Sequence, residues 1–212
     1  MDDFGLLPTV FTVSVVAAVL LVQATGRKLR WPFVTIALAL VTMVVGAITI
    51  YDDSVLDVVK RDGIRLVEGQ WWRLFTPLVG QDGGLWGLLF DLAMLVAVGT
   101  AVENLFGRWM LLGVYVASGL VSEVAAYTLL PGQGFAGNSV ANFGLAGLLV
   151  VTAAFSPIPA RVVGLIGLGA GLILDVTLNL HGVGFTVGAL VGLVVWAVKR
   201  RRTGGRHPVS RM

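Results

Sequence analysis

The chain has 212 residues, 57% of them hydrophobic and 13% charged, and its mean hydropathy is +0.90. Soluble domains carry roughly 25% charged residues, so this composition predicts an integral membrane protein. The lack of cysteine excludes disulfides, thiolate catalysis and cysteine-held metals, while the net charge of +3 comes from basic residues in loops and a tail beside apolar runs, a topology pattern that implies no nucleic acid.

The first apolar run, Leu7–Ala24, lacks a positive segment ahead of it and is followed by Arg27, Lys28 and Arg30, which predicts a retained helix and not a cleaved leader. Phe33–Tyr51 comes next, long enough at 1.5 Å per residue to cross a hydrocarbon core of about 30 Å. A polar interval, 52–84, is the only sizeable extramembrane region expected. Further apolar runs lie at 85–102, 109–130, 137–155, 161–176 and 181–198. The expectation is an all-α polytopic membrane protein of seven helices, the fifth carrying Ser139 and the seventh His181. Two histidines in all leave no histidine-rich metal site, and no metal, nucleotide or redox cofactor is implied.

Positive charge sets an orientation. If the loop of Arg27, Lys28 and Arg30 is cytoplasmic, then Arg108, Arg161 and the tail residues Lys199, Arg200, Arg201, Arg202, Arg206 and Arg211 share its side. That is eleven of the fifteen Lys and Arg residues. The other four, Lys60, Arg61, Arg65 and Arg73, share the interval 52–84 with six acids. The N-terminus is thus expected outside and the C-terminus in the cytoplasm, and the minimal loops fit a bacterial plasma membrane.

Ser139 stands at the first turn of its helix, within Gly-Asn-Ser-Val-Ala-Asn-Phe-Gly. A lone serine in an apolar helix most often back-bonds to a carbonyl one turn earlier. The second polar group, His181, opens a helix from the same outer face, and a histidine in a transmembrane segment is a functional hypothesis. His181, Gly184, Gly188 and Gly192 follow one another by three, four and four residues, which forms one narrow stripe. Small residues on a stripe allow close helix approach in lipid, and Gly137, Ala141, Gly144 and Gly147 are the small residues of the serine helix able to receive it. Phe143 lies one turn after Ser139, where its ring can stack on an imidazole.

These residues resemble the rhomboid family of intramembrane serine proteases. The run Gly69-Gln70-Trp71-Trp72-Arg73-Leu74-Phe75-Thr76-Pro77 is similar to the family's tryptophan-arginine loop motif. Gly99, Glu103 and Gly107 resemble the end of its second core helix, Gly137-x-Ser139 with Phe143 and Gly144 its nucleophile segment, and His181-x-x-Gly184-x-x-x-Gly188 its histidine helix. The resemblance implies a rhomboid-like six-helix bundle over 33–198, with an extra N-terminal transmembrane helix and basic loop over 1–32 and a basic cytoplasmic tail over 199–212. It implies a Ser139/His181 dyad cleaving peptide bonds in or near transmembrane segments of membrane-protein substrates.

Three positions depart from the family pattern. Val140 stands where a glycine follows the serine, and Gly87 and Asp91 where a histidine and an asparagine help hold the oxyanion. Asp91 is the residue then left to support the oxyanion region, with the amides of Asn138 or Asn142 as replacements. These departures carry the alternative of a rhomboid-like pseudoprotease that binds transmembrane helices of client proteins. Of the remaining acids, Glu103 is expected to pair or to fix a loop at a cytoplasmic helix end near Arg108. Glu123 needs a partner that the sequence does not name. Asp175 is expected at the outer edge in water, a role as third triad member being the lesser reading, and His207 is expected to be solvated. The sequence is silent on oligomeric state.

Overall fold

The computed structural model describes residues 6–26, 28–130 and 132–204. Arg27, Arg206, Arg211 and His207 lie outside the described residues. Among the described residues, ten α-helices follow in order: α1 Leu6–Ala24, α2 Phe33–Tyr51, α3 Asp53–Val59, α4 Gly63–Val67, α5 Gly84–Met94, α6 Thr100–Phe106, α7 Arg108–Leu129, α8 Ser139–Ala154, α9 Ala160–Val176 and α10 Leu180–Gly204. A single π-helical turn, Leu95–Gly99, joins α5 to α6, so that Gly84–Phe106 runs as one span. There is no strand among the described residues. The chain is an all-helical polytopic membrane protein.

Among the described residues, five helical stretches are long and apolar enough to cross a bilayer: Leu7–Ala24, Phe33–Tyr51, Gly84–Phe106, Arg108–Leu129 and Leu180–Arg201. The two others expected as spans are shorter, α8 with 16 residues and α9 with 17. At 1.5 Å per residue α8 is about 24 Å long, less than the hydrocarbon core. Its surroundings explain why it is apolar all the same. Every residue of α8 except Ser139 and Thr152 is buried, because α10, α9, α7 and α1 pack around it.

Glycine sets the tightest of these contacts. A Cβ on Gly188 would lie 2.6 Å from the Gly144 carbonyl carbon and one on Gly184 3.0 Å from that of Val140, while one on Gly147 would lie 2.9 Å from the Ala189 nitrogen. The backbones of α8 and α10 therefore touch with no side chain between them, as small-residue stripes permit in lipid. α1 belongs to the bundle. Val10, Ser14, Ala17, Ala18 and Leu21 are buried against α9 and α8, and Phe11 meets Phe90 of α5 at 5.1 Å between ring centroids.

Polar contacts tie the ends. Glu103 of α6 accepts from the Val34 and Thr35 N–H groups and from the Thr35 hydroxyl, satisfying donors that the first turn of α2 leaves open. That is the loop-fixing role expected for it, made with α2. The interval 52–84 is built of short helices capped by Asp52 and Asp62 and held by Arg73. This arginine is 1% exposed and donates to the Asp57 and Lys60 carbonyls at 2.7 and 2.8 Å. Its neighbour Trp71 is 66% exposed, so the two halves of the tryptophan-arginine motif face opposite ways.

Candidate active site

The segment before Ser139 is fastened to the loop ahead of α5. Gly137 N–H donates to the Pro77 carbonyl at 2.8 Å and Asp82 N–H to the Ala136 carbonyl at 3.0 Å. Ala136 N–H returns a bond to Asp82 Oδ2 at 3.0 Å. Solvent reaches Asp82 at the cavity mouth, but protein packed around its carboxyl disfavours the charged form and holds its pKa above the ordinary aspartate value. Ser139 thus enters α8 from a fixed strand of backbone.

Ser139 and His181, 42 residues apart, meet across the α8–α10 contact with Oγ 2.9 Å from Nε2. The tautomer follows from the other ring nitrogen. Asn179 Oδ1 accepts the His181 main-chain N–H at 2.9 Å, which identifies it as the amide oxygen, and it lies 2.6 Å from His181 Nδ1. An oxygen acceptor there requires Nδ1 to carry the proton. Nε2 is then unprotonated and accepts, and the Ser139 hydroxyl donates to it. The Phe143 ring sits 4.9 Å from the imidazole, tilted by 58°.

A cavity of about 390 Å³ opens over this pair. Ser139, His181, Asn179, Gly137, Val140, Gln81, Asp82 and Asp91 line it, with Arg61 and Glu123 farther along the wall. Ser139 N–H and Val140 N–H belong to the first turn of α8, where no intrahelical acceptor exists.

The residues singled out in the sequence fall in several places. Gly184 and Gly188 stand in the helix contact. Gly137 does not: a Cβ there would lie 3.7 Å from Asp91 Oδ2, 3.8 Å from Ser139 Oγ and 3.9 Å from Gln81 Oε1, so it is a cavity residue. Asn138 is fully buried beside Tyr115, and its amide is not part of the cavity wall. Asn142 is also turned inward, donating to the Asp91 carbonyl of α5 at 3.0 Å. Asp91 is 4% exposed and accepts from Gln81 Nε2 at 3.0 Å. Asp175 takes the Thr186 hydroxyl at 2.6 Å, while the imidazole faces Asn179.

Sequence reasoning passed over Gln81, Asn179 and the partner of Glu123. That partner is Arg61, whose Nη1 is 3.7 Å from Glu123 Oε2, with the two side chains 2% and 6% exposed. Arg61 also donates to the Gln133 carbonyl at 3.1 Å, and its guanidinium lies 5.1 Å from the Phe135 ring centroid. The one signal for Asn179 is its place two residues before His181, the N-cap position of a helix.

Comparison with known proteins adds a family model described as the Rhomboid domain, which matches residues 68–202. Rhomboid protease GluP of Bacillus subtilis (strain 168) is 36% identical over 122 residues, which is 58% of this chain and 23% of that protein. Putative rhomboid protease YdcA of the same strain is 30% identical over 129 residues, 59% of this chain and 64% of that protein. The chain spans less than two thirds of the length of either relative.

Proposed function

Since this chain belongs to the rhomboid family, we propose that it is an intramembrane serine endopeptidase, cutting peptide bonds in or near transmembrane segments of other membrane proteins. One observation carries the reading: Ser139 Oγ donates to a His181 Nε2 left unprotonated by the Asn179 contact, at the wall of a cavity that Arg61, Gln81, Asp82 and Asn179 also line. As Oγ attacks a carbonyl carbon, its proton passes to Nε2; the imidazolium then protonates the leaving amine. The Ser139 N–H at the positive end of α8 stabilises the oxyanion. Water entering the cavity repeats the sequence and releases the acyl group, the histidine again taking the proton.

Membrane placement supports this chemistry. α8 is about 24 Å long, shorter than the hydrocarbon core, which fits a Ser139 set below the membrane surface, and the cavity gives water a path to it. Trp71 and Trp86 are exposed at this end of the bundle, and Trp31 and Trp109 at the other, the positions that interfacial tryptophans favour. The distribution of Lys and Arg supports an outside N-terminus and a cytoplasmic C-terminus, and the short loops fit a bacterial plasma membrane. Substrates are transmembrane proteins, and no cofactor takes part.

The test is proteolysis of a single-span substrate in liposomes by wild type, Ser139→Ala and His181→Ala. Cleavage that both substitutions abolish is the expected result. A folded wild type that cleaves no member of a substrate panel, and whose Ser139 is not labelled by a fluorophosphonate, would overturn the protease reading in favour of a helix-binding pseudoprotease.

A further inference from the structure

A second cavity, of about 430 Å³, lies at the far end of the bundle from the dyad, where the loop after α1 passes the end of α6. Its size suits a small ligand. Val22, Leu29 and Leu105 form its apolar part, and Thr25, Lys28, Arg30 and Asn104 its polar part. The Asn104 amide builds the frame. Its Oδ1 accepts the Arg30 main-chain N–H at 2.7 Å, and Nδ2 donates to the Arg30 and Thr100 carbonyls at 3.2 and 2.9 Å. Both Nδ2 hydrogens are thereby used, and the loop is clipped to α6 at Arg30. The Thr25 hydroxyl donates to the Val22 carbonyl at 2.7 Å. What these bonds leave for a ligand is the charge of Lys28 and Arg30.

Neither cation has an acidic partner: among the described residues no ion pair includes Lys28 or Arg30. Glu103, the one acid at this end among the described residues, gives both oxygens to the first turn of α2. Arg108, Arg161, Lys199, Arg200 and Arg201 add positive charge at the same end. A concave wall with two cations and no counter-ion attracts an anion. The rim indicates its source. Leu29, Trp31 and Phe33 are 59%, 76% and 74% exposed, an apolar and aromatic border of the kind that sits at a membrane interface, so the mouth of the cavity stands at headgroup level. We propose that this cavity binds the headgroup phosphate of an anionic glycerophospholipid. Arg30 offers the phosphate oxygens a fork of N–H donors and Lys28 a point charge, while Val22, Leu29 and Leu105 take the glycerol and the first acyl carbons. Basic pockets between transmembrane helices are a recurrent form of such recognition. The inference goes beyond the protease reading and does not rest on it. A lipid held there ties α1 and the loop after it to α6, and by mass action it stabilises the folded bundle.

The experiment titrates the full chain in neutral detergent with dioleoylphosphatidylglycerol or dioleoylphosphatidylcholine and reads, by native mass spectrometry, the concentration at which half the protein retains one lipid. Salt of about 0.15 M screens charges farther than about 8 Å away. Wild type should hold the phosphatidylglycerol about tenfold or more tightly than the phosphatidylcholine. Replacing Lys28→Gln and Arg30→Gln together should weaken phosphatidylglycerol by about 25-fold, near fivefold per charge. Each single substitution should show about fivefold, and these serve if the pair does not fold. Thr25→Phe fills the cavity with both charges retained and should abolish the preference for phosphatidylglycerol. Arg161→Gln with Arg201→Gln removes two cations of the same end that lie outside the cavity wall, and affinity should not change. A Lys28/Arg30 pair or a Thr25→Phe variant at wild-type affinity overturns the inference. So does a loss in the Arg161/Arg201 pair equal to that in the cavity pair, which would reduce the effect to attraction by the whole basic end. Glycerol phosphate that displaces the lipid at equal concentration would assign the cavity to a soluble phosphate and overturn the lipid. No readout uses proteolysis, so this inference and the protease reading fail separately.

Discussion

Replacing Gly188 by alanine adds one methyl group where α8 and α10 touch. That methyl would lie 2.6 Å from the Gly144 carbonyl carbon and closer still to its oxygen, whereas ordinary contact begins at 3.4 Å. Both obstacles are main chain inside helices, so no rotamer change relieves the clash, and the helices must part by about 1 Å. His181 lies seven residues earlier on α10, roughly two turns or about 10 Å along the axis, close enough to share the displacement. A shift of that size stretches the 2.9 Å contact between Ser139 Oγ and His181 Nε2 to nearly 4 Å, beyond hydrogen-bond reach. Loss of the general base costs about 10²- to 10⁴-fold in rate, while overpacking of this kind costs about 1–3 kcal/mol of stability. The expected result in liposomes is a fall in kcat of at least tenfold, accompanied by a lower thermal midpoint in detergent. Gly113→Ala and Gly169→Ala, where a Cβ would meet nothing within 4 Å, serve as controls and should match wild type in both. A Gly188→Ala protein with wild-type midpoint and rate would refute the close α8–α10 contact as the element that sets dyad geometry.

Two further perturbations address residues outside the dyad. Asn179→Ala removes the acceptor that keeps the His181 proton on Nδ1, so kcat should drop while KM holds. Asn179→Asp should instead move the acid limb of the pH–rate profile to higher pH, because a carboxylate favours the imidazolium; an unshifted profile would show that Asn179 does not act through His181. Arg61→Ala leaves Glu123 buried in its span without its cation, a change that costs about 3–5 kcal/mol in comparable buried pairs. Unfolding in denaturant should show this loss, and Glu123→Gln in the same background should restore part of it. A midpoint unchanged by Arg61→Ala would mean that the 3.7 Å pair holds little.

The helical half of the site was readable from sequence because its signals are periodic. The stripe of His181, Gly184 and Gly188 states which face of α10 is small, and apolar runs bound the helices to within a few residues. What periodicity does not state is the solvent that does the burying. An apolar helix enclosed by protein looks the same as one facing lipid, and so the sequence does not distinguish α8, sixteen residues long and buried among its neighbours, from the longer helices around it. Gly137 shows the same limit on a smaller scale: its spacing suits helix packing, but its position before the first turn puts it in the cavity wall. Gln81, Asn179 and Arg61 were missed for another reason. Each lies in a polar segment without period, and each acts on a group that only the fold brings near, such as Arg61 on Glu123 and Gln81 on Asp91.

The two halves depend on each other through Ser139. Close backbone contact with α10 fixes the distance of the serine from its base, but it leaves the first turn of α8 free to fray, as helix ends do. The loop ahead of α5 supplies the missing restraint. Pro77 holds Gly137, Asp82 exchanges two hydrogen bonds with Ala136, and Gln81 extends from that same loop to Asp91. A single displacement of residues 77–82 would therefore move the amide beside the serine and loosen the segment that delivers the serine, with α8 and α10 still in place. That coupling makes the loop, more than the glycine stripe, the part of the fold where a change in sequence could silence the dyad without disturbing the bundle.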